Sequence, residues 1–309
     1  MKISVVICTH NPRQSHLAAT IDGLQAQLLP KQDWELLVVD NGSEKPVGDD
    51  VDLSWHPLSR IICESNLGVV HARRTGIVKS SADLIVFVDD DNVLAPDYLT
   101  CCLEVACEFP KIAVFGGQID GQLELQPSPA IVPYLGLLAI RQFSRDAWSN
   151  DPHDRTNPAG AGMCVRRSAA FHWLDVIEQR ELTIGLMIGS VGRNMMRGED
   201  DDLCYAARAK GWGVGHFAKL KLTHLIPAER LDPGYMVRLM EGVVLSGYVL
   251  SFLWGQGVLP PERSMRRSIG VFRQRLRMTP FERDLSIAKE RAEQAATAII
   301  NRIRNRKLS

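Results

Sequence analysis

Two runs of carboxylates contain the residue types that could do chemistry. The first, Asp89-Asp90-Asp91, follows an apolar run at 84–88. Adjacent carboxylates repel one another unless a positive charge lies among them, and Mg²⁺ or Mn²⁺ binds carboxylate oxygens while sharing itself with substrate phosphates. The triplet therefore indicates a divalent metal site. Asp is also common in turns and caps, so the pattern alone leaves a structural role open.

The second run is Glu199-Asp200-Asp201-Asp202, directly before a helical pattern at 203–210. The helix dipole favours acids in a first turn, so one or two of them need no functional explanation. Four in a row exceed what capping requires. A carboxylate crowded by others can have the raised pKa that suits a general base. This helix start is therefore a candidate source of a catalytic base.

The elements that must position these runs alternate between short apolar strands and helices over the first hundred residues. This alternation is typical of a parallel α/β sheet covered on both faces, in which ligands collect at the carboxyl ends of the strands. Thr9, Asp40, Asn66 and Asp89 fall at such ends. The predicted strands are 3–8, 35–39, 60–63, 84–88, 112–116 and 212–223, and the predicted helices are 16–29, 70–80, 97–108 and 203–210.

The rest of the chain is less regular. The segments 126–133 and 145–158 are predicted as loops, and the second could be a flap over a site or simply a connection. From Asp232 the pattern is mostly helical, with a break at Leu259-Pro260-Pro261. The longest apolar stretch, 243–254, is shorter than the about 20 residues that a bilayer span needs, which favours a buried or interfacial helix.

The composition separates an acidic body from a basic tail. The 309 residues carry 36 basic and 36 acidic side chains, yet 263–309 hold 13 Lys and Arg against 4 Asp and Glu. Such a tail could face an anionic membrane surface, where each basic residue contributes about 1 kcal/mol, or it could be a solvated helical face. It lacks the aromatic interleaving of a nucleic-acid-binding module, so no nucleic-acid partner is expected.

Cysteine usage and the first residues bear on the compartment. The seven cysteines are scattered without a CxxC pair, which favours a reducing, cytoplasmic location over a disulfide framework. The opening residues Met1 to Thr9 have the pattern of a strand rather than of a signal peptide. We therefore expect a cytoplasmic protein, peripheral to the inner face of the membrane if its basic tail binds lipid.

Taken in chain order, the motifs resemble the family 2 glycosyltransferases of the GT-A fold. The resemblance covers about residues 3 to 227, and its motifs are specific as a set. They are Val5-Val6-Ile7-Cys8-Thr9-His10-Asn11, Val38-Val39-Asp40-Asn41-Gly42-Ser43, Asn66-Leu67-Gly68 with Ala72-Arg73, Asp89-Asp90-Asp91, Gly160-Ala161-Gly162-Met163-Cys164-Val165-Arg166-Arg167, Gly198-Glu199-Asp200 and His224-Leu225-Ile226-Pro227.

The resemblance implies an α/β fold and a reaction. The fold is a Rossmann-like, mostly parallel sheet with helices on both faces and a C-terminal helical extension. A catalytic domain would span 1–230, with a nucleotide-binding half at 1–116 and an acceptor half at 117–230, before a helical region at 231–309. The reaction is inverting transfer of a sugar from a nucleoside diphosphate donor, UDP favoured, to a hydroxyl of a saccharide or lipid-linked acceptor in bacterial polysaccharide or glycolipid synthesis.

The resemblance also implies roles for individual residues. Asp200 would be the catalytic base, with Glu199 supporting the acceptor. The implied nucleotide contacts are Thr9, Asn11, Asp40, Asn66, Arg73, Asp89 and Asp90. The implied sugar and acceptor contacts are Gly160, Ala161, Gly162 and Met163. The implied ligands of Mn²⁺ or Mg²⁺ are the DXD pair Asp89 and Asp91, together with His224.

Alternatives remain at several positions. Asp40 could serve plain turn chemistry, and His224 taken alone is more often a structural histidine. Asp201 is expected to cap or face solvent, and Asp202 to pair with Arg208.

Other protein classes remain as alternatives for the whole chain. A sugar nucleotidyltransferase would carry a glycine-rich, arginine-containing loop where this chain has Thr9-His10-Asn11-Pro12, and a response-regulator receiver lacks the second acidic run. A catalytically silent protein that binds nucleotide sugars is the remaining alternative.

Overall fold

A nine-stranded sheet forms the centre of the computed structural model, which describes residues 2–184, 197–262 and 264–308. The strand order is β3-β2-β1-β4-β8-β6-β9-β5, and β7 pairs with β9 outside this path. The strands are β1 (Ile3–Thr9), β2 (Trp34–Asp40), β3 (Ser59–Cys63), β4 (Leu84–Asp89), β5 (Asn92–Leu94), β6 (Ile112–Leu123), β7 (Ala147–Ser149), β8 (Cys164–Arg166) and β9 (Gly213–Ile226).

The first four strands of this order run parallel, as the apolar runs predicted. β1 pairs with β2 and β4, and β2 pairs with β3. The side chains of β1, β2 and β4 are almost all apolar because helices cover both faces of the sheet. The register sets Thr9 opposite Asp40 and Cys8 opposite Asp89, so these carboxyl ends share one edge. Beyond β4 the pairing is mixed, with β8 antiparallel to both of its neighbours.

The helices divide between the two faces of the sheet. Apolar side chains of α1 and α3 enter one core, and those of α2, α4 and α5 enter the other. These helices are α1 (Gln14–Gln25), α2 (Val69–Lys79), α3 (Tyr98–Glu108), α4 (Arg167–Ile184) and α5 (Glu199–Ala209). The strand-end residues therefore stand on a scaffold packed from both sides, with the GT-A arrangement that the sequence predicted.

Several boundaries differ from the sequence prediction for tertiary reasons. Helix α1 ends at Gln25, before the predicted end at residue 29. Just beyond this end, the Gln27 side chain donates hydrogen bonds to the carbonyls of Gly23 and Ala95. Strand β6 runs to Leu123 instead of residue 116, since its pairing with β9 resumes after a bulge. The segment predicted as a loop at 145–158 contains β7, held by β9.

The C-terminal region is helical, as predicted. It comprises α6 (Pro233–Leu253), α7 (Met265–Arg275) and α8 (Pro280–Leu308). Helix α6 packs against α8 through Val249, Leu250 and Ala296. Among the described residues, α6 alone is long and apolar enough to cross a membrane by length and composition, with 21 residues, a mean hydropathy of 1.5 and 39% of the apolar window buried. Core helices of soluble proteins meet the same criterion.

Candidate active site

Both acidic runs meet at one cavity of about 290 Å³. The turn after β4 supplies Asp89, Asp90 and Asp91, and the first turn of α5 supplies Glu199 and Asp200. Further lining residues are Cys8, Val69, Arg73, Leu138, Gly160, Ala161, Arg197, His224, Arg230 and Tyr235. A larger hollow of about 1800 Å³ lies among α6, α7 and α8, away from both runs. We place the chemistry in the smaller cavity because the carboxylates converge there.

Asp91 is held by charged and polar neighbours on the side of β9. One carboxylate oxygen accepts a hydrogen bond from Asn92 Nδ2 at 2.9 Å, while Oδ2 lies 3.4 Å from His224 Nε2 and 3.0 Å from Arg230 Nη1. Burial acts to raise the pKa of Asp91, but the imidazole of His224 and the guanidinium of Arg230 outweigh it and hold the pKa below its usual value. Asp91 is thus a buried, ionised carboxylate.

Asp89 and Asp90 lie in the same buried turn without such strong compensation. Burial, with the charge of Asp91, raises the pKa of Asp89. Burial also raises the pKa of Asp90 to about 7, although the Thr9 hydroxyl donates a hydrogen bond to this carboxylate. Crowded, desolvated carboxylates of this kind are stabilised by a cation.

The donor atoms fit a hard divalent cation that is shared with a substrate. Carboxylate oxygens of Asp89 and Asp91 are ligands suited to Mn²⁺ or Mg²⁺, and the imidazole of His224 lies beside Asp91. Within 2–184, 197–262 and 264–308, no group of three or more such side chains is arranged as a complete metal site. A cation here would therefore complete its shell with diphosphate oxygens and water, as Mg²⁺ commonly does.

Glu199 and Asp200 form the opposite wall. The Glu199 carboxylate lies 3.5 Å from Arg73 Nη1, and its pKa is raised by burial, which outweighs the effect of Arg73. Asp200 accepts hydrogen bonds from the backbone N–H groups of Gly160 at 3.0 Å and Asp201 at 2.9 Å. These contacts fix the orientation of the Asp200 carboxylate at the cavity.

Arg73, a predicted nucleotide contact, lines the cavity. Its side chain is only 3% exposed and packs over the Phe87 ring, 5.2 Å from the centroid, between the two acidic runs. A Cβ at position 160 would lie 2.6 Å from Arg73 Nη2, so Gly160 is needed for this packing. The buried guanidinium thus forms part of the cavity floor and links the two runs electrostatically.

The predicted nucleotide contacts Thr9, Asn11, Asp40 and Asn66 lie at the strand ends beyond the cavity lining. Asp40 accepts hydrogen bonds from the backbone N–H groups of Ser43 and Val47, both at 3.0 Å. Burial acts to raise the pKa of Asp40, but these bonds outweigh it and lower the pKa. Asp40 therefore stabilises the turn after β2, and its contact with the base stays a prediction.

Asn41 organises these strand-end loops and was missed as a site residue. Its side-chain amide donates to the carbonyls of Glu64 and Asn66, and its oxygen accepts from the N–H of Gly68. Asn11 has a positive φ of 49°, and its side-chain oxygen accepts a hydrogen bond from the N–H of Glu44 in the neighbouring turn. The exposed edge beside the cavity is thus held by amide bridges.

The Gly160 to Met163 segment divides into two parts. Gly160 and Ala161 line the cavity. Gly162 has a φ of 68° and accepts a hydrogen bond at its carbonyl from the Tyr98 hydroxyl at 2.7 Å, while Met163 is fully buried in the core. Gly162 and Met163 are not among the cavity-lining residues, and the sugar or acceptor contacts of this segment stay a prediction.

The pairing expected between Asp202 and Arg208 is wrong. Asp202 is fully buried and accepts hydrogen bonds from both guanidinium nitrogens of Arg180 and from the indoles of Trp173 and Trp254, at 2.7 to 3.0 Å. Arg208 donates instead to Thr156 at 2.7 Å. Asp202 is not among the residues that line the cavity, and its carboxylate packs among α4 and the end of α6 instead.

Asp201 was expected to cap α5 or to face solvent. Its side chain is partly buried instead and accepts a hydrogen bond from the Asn157 amide at 2.6 Å. It thereby ties the first turn of α5 to the segment 145–158.

Comparisons with known proteins agree with the fold. Residues 4–170 match the sequence profile of glycosyl transferase family 2. The chain therefore belongs to this family.

Its relatives match over limited segments. A glucosyl-dolichyl phosphate glucuronosyltransferase of Haloferax volcanii is 25% identical over 123 residues, which are 38% of each chain. The glycosyltransferase YwdF of Bacillus subtilis is 32% identical over 99 residues, or 32% of this chain and 36% of that protein. The aligned segments thus span less than two fifths of these relatives.

Solved structures share the fold at low identity. S. aureus TarS 1-349 has a TM-score of 0.54 and 15% identity, with 100% of this chain and 91% of that chain covered. The mannosyltransferase PcManGT of Pyrobaculum calidifontis, in complex with GDP-Man and Mn²⁺, has a TM-score of 0.56 and 16% identity, with 96% of this chain and 73% of that chain covered. At such identity these likenesses concern the fold alone.

Proposed function

We propose that this enzyme transfers a sugar from a nucleoside diphosphate sugar to an acceptor hydroxyl, with inversion at the anomeric carbon and with a divalent cation at the donor. One observation carries the proposal: the two acidic runs, far apart in the chain, line opposite walls of one cavity. The Asp89 to Asp91 side would hold the diphosphate end, and the Asp200 side would receive the acceptor.

The residues divide the reaction between them. Asp200 would take the proton from the acceptor hydroxyl as its oxygen attacks, because backbone N–H groups hold its carboxylate in place. Asp89, Asp91 and His224 would hold Mn²⁺ or Mg²⁺, which would supply Lewis-acid stabilisation of the leaving diphosphate. A single displacement at the anomeric carbon gives inversion. Arg73 would keep Glu199 and Asp200 oriented from below.

The proposals for the donor and the acceptor are supported by the family resemblance and by the related proteins. Uridine is favoured through the family use of the position of Asp40, while Thr9, Asn11, Asn66 and Asp90 would border the nucleotide at the same sheet edge. Among the structures that share the fold, TarS 1-349 was solved with UDP-GlcNAc. A lipid-linked acceptor is supported by the name of the Haloferax relative, which contains a dolichyl phosphate.

A donor panel tests the proposal. Purified enzyme is incubated with UDP-, GDP- and TDP-sugars, with Mn²⁺ or with EDTA, and release of nucleoside diphosphate is measured. We expect release from a UDP-sugar only with the cation, and a product whose anomeric configuration, determined by NMR, is inverted. Release unaffected by EDTA would overturn the cation dependence, and binding of donors without any release would favour the catalytically silent alternative.

A second feature bears on where the acceptor is met. Helix α7 presents an apolar stripe to solvent, since Met265, Ile269, Phe272 and Leu276 follow helical spacing and are 82%, 48%, 63% and 66% exposed. Exposed arginines such as Arg273 flank this stripe. An amphipathic helix with a basic flank lies in the interface of an anionic membrane, where burying a Phe or Leu contributes about 1.5–3 kcal/mol.

We infer that α7 docks on an anionic lipid surface and brings the cavity to lipid-linked acceptors. Sedimentation with vesicles of phosphatidylcholine and phosphatidylglycerol, against phosphatidylcholine alone, tests this. We expect preference for the anionic vesicles, lost in Phe272→Ser/Leu276→Ser. The matched control is Leu28→Ser, which removes a side chain 70% exposed elsewhere. Equal pelleting with both vesicles, or equal loss in the control, would overturn the docking.

A further inference from the structure

Arg230 enters the donor side of the cavity and has no role in the reaction as proposed above. It lies in a short 3₁₀ turn, Ala228–Leu231, directly after β9. Its Nη1 is 3.0 Å from Asp91 Oδ2 and 3.0 Å from His224 Nε2, and the side chain keeps 34% exposure. One guanidinium nitrogen therefore contacts two of the three side chains proposed to bind the cation.

The two ring nitrogens of His224 have different partners. Nδ1 lies 3.0 Å from the carbonyl oxygen of Leu138, which can only accept, so Nδ1 donates to it. Nε2 lies 3.0 Å from Arg230 Nη1 and 3.4 Å from Asp91 Oδ2. The ring is thus oriented by a backbone carbonyl at Nδ1, with Nε2 directed at the cavity.

The guanidinium contacts the two atoms that a divalent cation would use. Asp91 Oδ2 and His224 Nε2 are 3.4 Å apart, and each lies 3.0 Å from Arg230 Nη1. A cation bound to this pair would meet a positive charge in contact with both of its ligands. The cation and Arg230 would therefore compete for the pair.

We propose that Arg230 is an internal counter-cation of the donor site that competes with the divalent cation and couples its binding to that of the donor diphosphate. This inference rests on the proposed cation dependence. Without donor, Arg230 neutralises Asp91 and fills the hydrogen-bonding capacity of His224. When a diphosphate binds with its cation, its phosphate oxygens can accept hydrogen bonds from the Arg230 guanidinium. Separating Arg230 from Asp91 then requires less free energy.

The coupling has a thermodynamic signature. A cation alone binds only the fraction of molecules in which Arg230 has left the pair, which weakens its apparent affinity by that fraction. Nucleoside diphosphate gives the displaced arginine a partner, so it tightens cation binding, and by linkage the cation tightens nucleotide binding by the same factor. Removal of the guanidinium should strengthen cation binding without nucleotide and weaken the coupling.

Mn²⁺ binding, followed by the EPR signal of free Mn²⁺, tests this on wild type and Arg230→Gln, with and without UDP. We expect Arg230→Gln to bind Mn²⁺ alone about tenfold more tightly than wild type. This factor corresponds to a wild-type protein in which the form with Arg230 on Asp91 and His224 is about ten times more populated than the form without this contact. UDP should then improve Mn²⁺ affinity less in the variant than in wild type. Arg230→Lys, which keeps the charge but loses the planar fork, should lie between them.

The matched control is Arg238→Gln, which removes the same charge from an exposed arginine of α6 next to Tyr235. If Arg238→Gln tightened Mn²⁺ binding as much as Arg230→Gln, the tighter binding would come from the loss of a positive charge anywhere near the cavity. The proposal that Arg230 competes with the cation would then be wrong. Unchanged or weaker Mn²⁺ binding in both Arg230 variants would also overturn it. If wild type bound no Mn²⁺ even with UDP, the cation dependence of the proposed function would fail instead.

Discussion

The two acidic runs look alike in sequence but are neutralised in different ways. Asp91 is balanced by two side chains from the end of β9 and the turn after it, His224 and Arg230. Asp200, at the start of α5, is held by the backbone N–H groups of Gly160 and Asp201. In the proposed competition Asp91 exchanges Arg230 for a cation, whereas Asp200 keeps its hydrogen bonds to the backbone.

The second run also divides internally. Glu199 and Asp200 line the cavity, whereas Asp202 is buried among Arg180 and two tryptophans. Trp254, at the end of α6, joins this cluster, so the helix start that carries the proposed base is fastened to the C-terminal region. Four adjacent acids therefore serve both chemistry and anchoring, and single substitutions can separate these roles.

The largest expected effect is on the proposed base. Asp200→Asn keeps an oxygen that can accept from the Gly160 N–H but removes the ability to take a proton, so kcat should fall about 10³–10⁴-fold with donor affinity unchanged. Steady-state kinetics and nucleotide binding by calorimetry measure this. The neighbouring variant Asp201→Asn should stay within a few-fold of wild type. An active Asp200→Asn enzyme would mean that the base is another group.

The next effect is on stability rather than on chemistry. Asp202→Asn removes the carboxylate from the buried ion pair with Arg180, and breaking a buried ion pair costs about 3–5 kcal/mol in the free energy of unfolding. Urea unfolding followed by tryptophan fluorescence measures this. The double variant Asp202→Leu/Arg180→Met, which removes both charges, should lose less than Asp202→Asn. Equal losses would show that packing at these positions matters more than this ion pair.

The sequence predicted what local pattern determines. Apolar runs specified the parallel strands β1 to β4, and their carboxyl ends delivered Thr9, Asp40 and Asp89 to one edge, as expected. The strands β5, β7 and β8 have three residues each and exist through their pairing with distant partners, so no local signal marked them. Their positions depend on contacts formed only in the folded chain.

In the candidate site, too, features set by local sequence were predicted and features set by long-range contacts were missed. Both acidic runs and His224 were predicted and lie at one cavity. Arg230 was missed because nothing in its neighbourhood sets it apart from other surface arginines, and only β9 carries it to Asp91. Asp202 was paired with the wrong arginine since helical spacing suggests a partner on its own helix, while the actual partner lies on α4.

A smaller effect should separate the two runs by cation affinity. Asp91→Asn removes an ionised carboxylate from the proposed ligand set, so Mn²⁺ in the presence of UDP should bind at least about tenfold more weakly. The rise in Tm on adding Mn²⁺ and UDP measures this, and it should shrink in the variant. Asp200→Asn serves as the matched control and should keep the full rise. Equal shrinkage in both would place the cation between the runs rather than at the Asp91 side.

The smallest effect concerns the pH dependence of stability in the second run. Burial, with Asp200 beside it, raises the pKa of Asp201 to about 7, against the opposing hydrogen bond from Asn157. A carboxyl with a raised folded-state pKa contributes stability that is complete below its unfolded pKa and is lost as pH rises through 7. When the folded and unfolded pKa values differ by one, the free energy of unfolding changes by about 1.4 kcal/mol.

Asp201→Asn should therefore gain at least about 1 kcal/mol over wild type at pH 8, since the charged form no longer has to be buried, and gain nothing at pH 4. Urea unfolding of both proteins at several pH values measures the difference. A gain that is the same at pH 4 and pH 8 would show that the amide improves the contact with Asn157 instead. A loss at pH 8 would mean that the charged carboxylate stabilises the start of α5, as the helix dipole alone would predict.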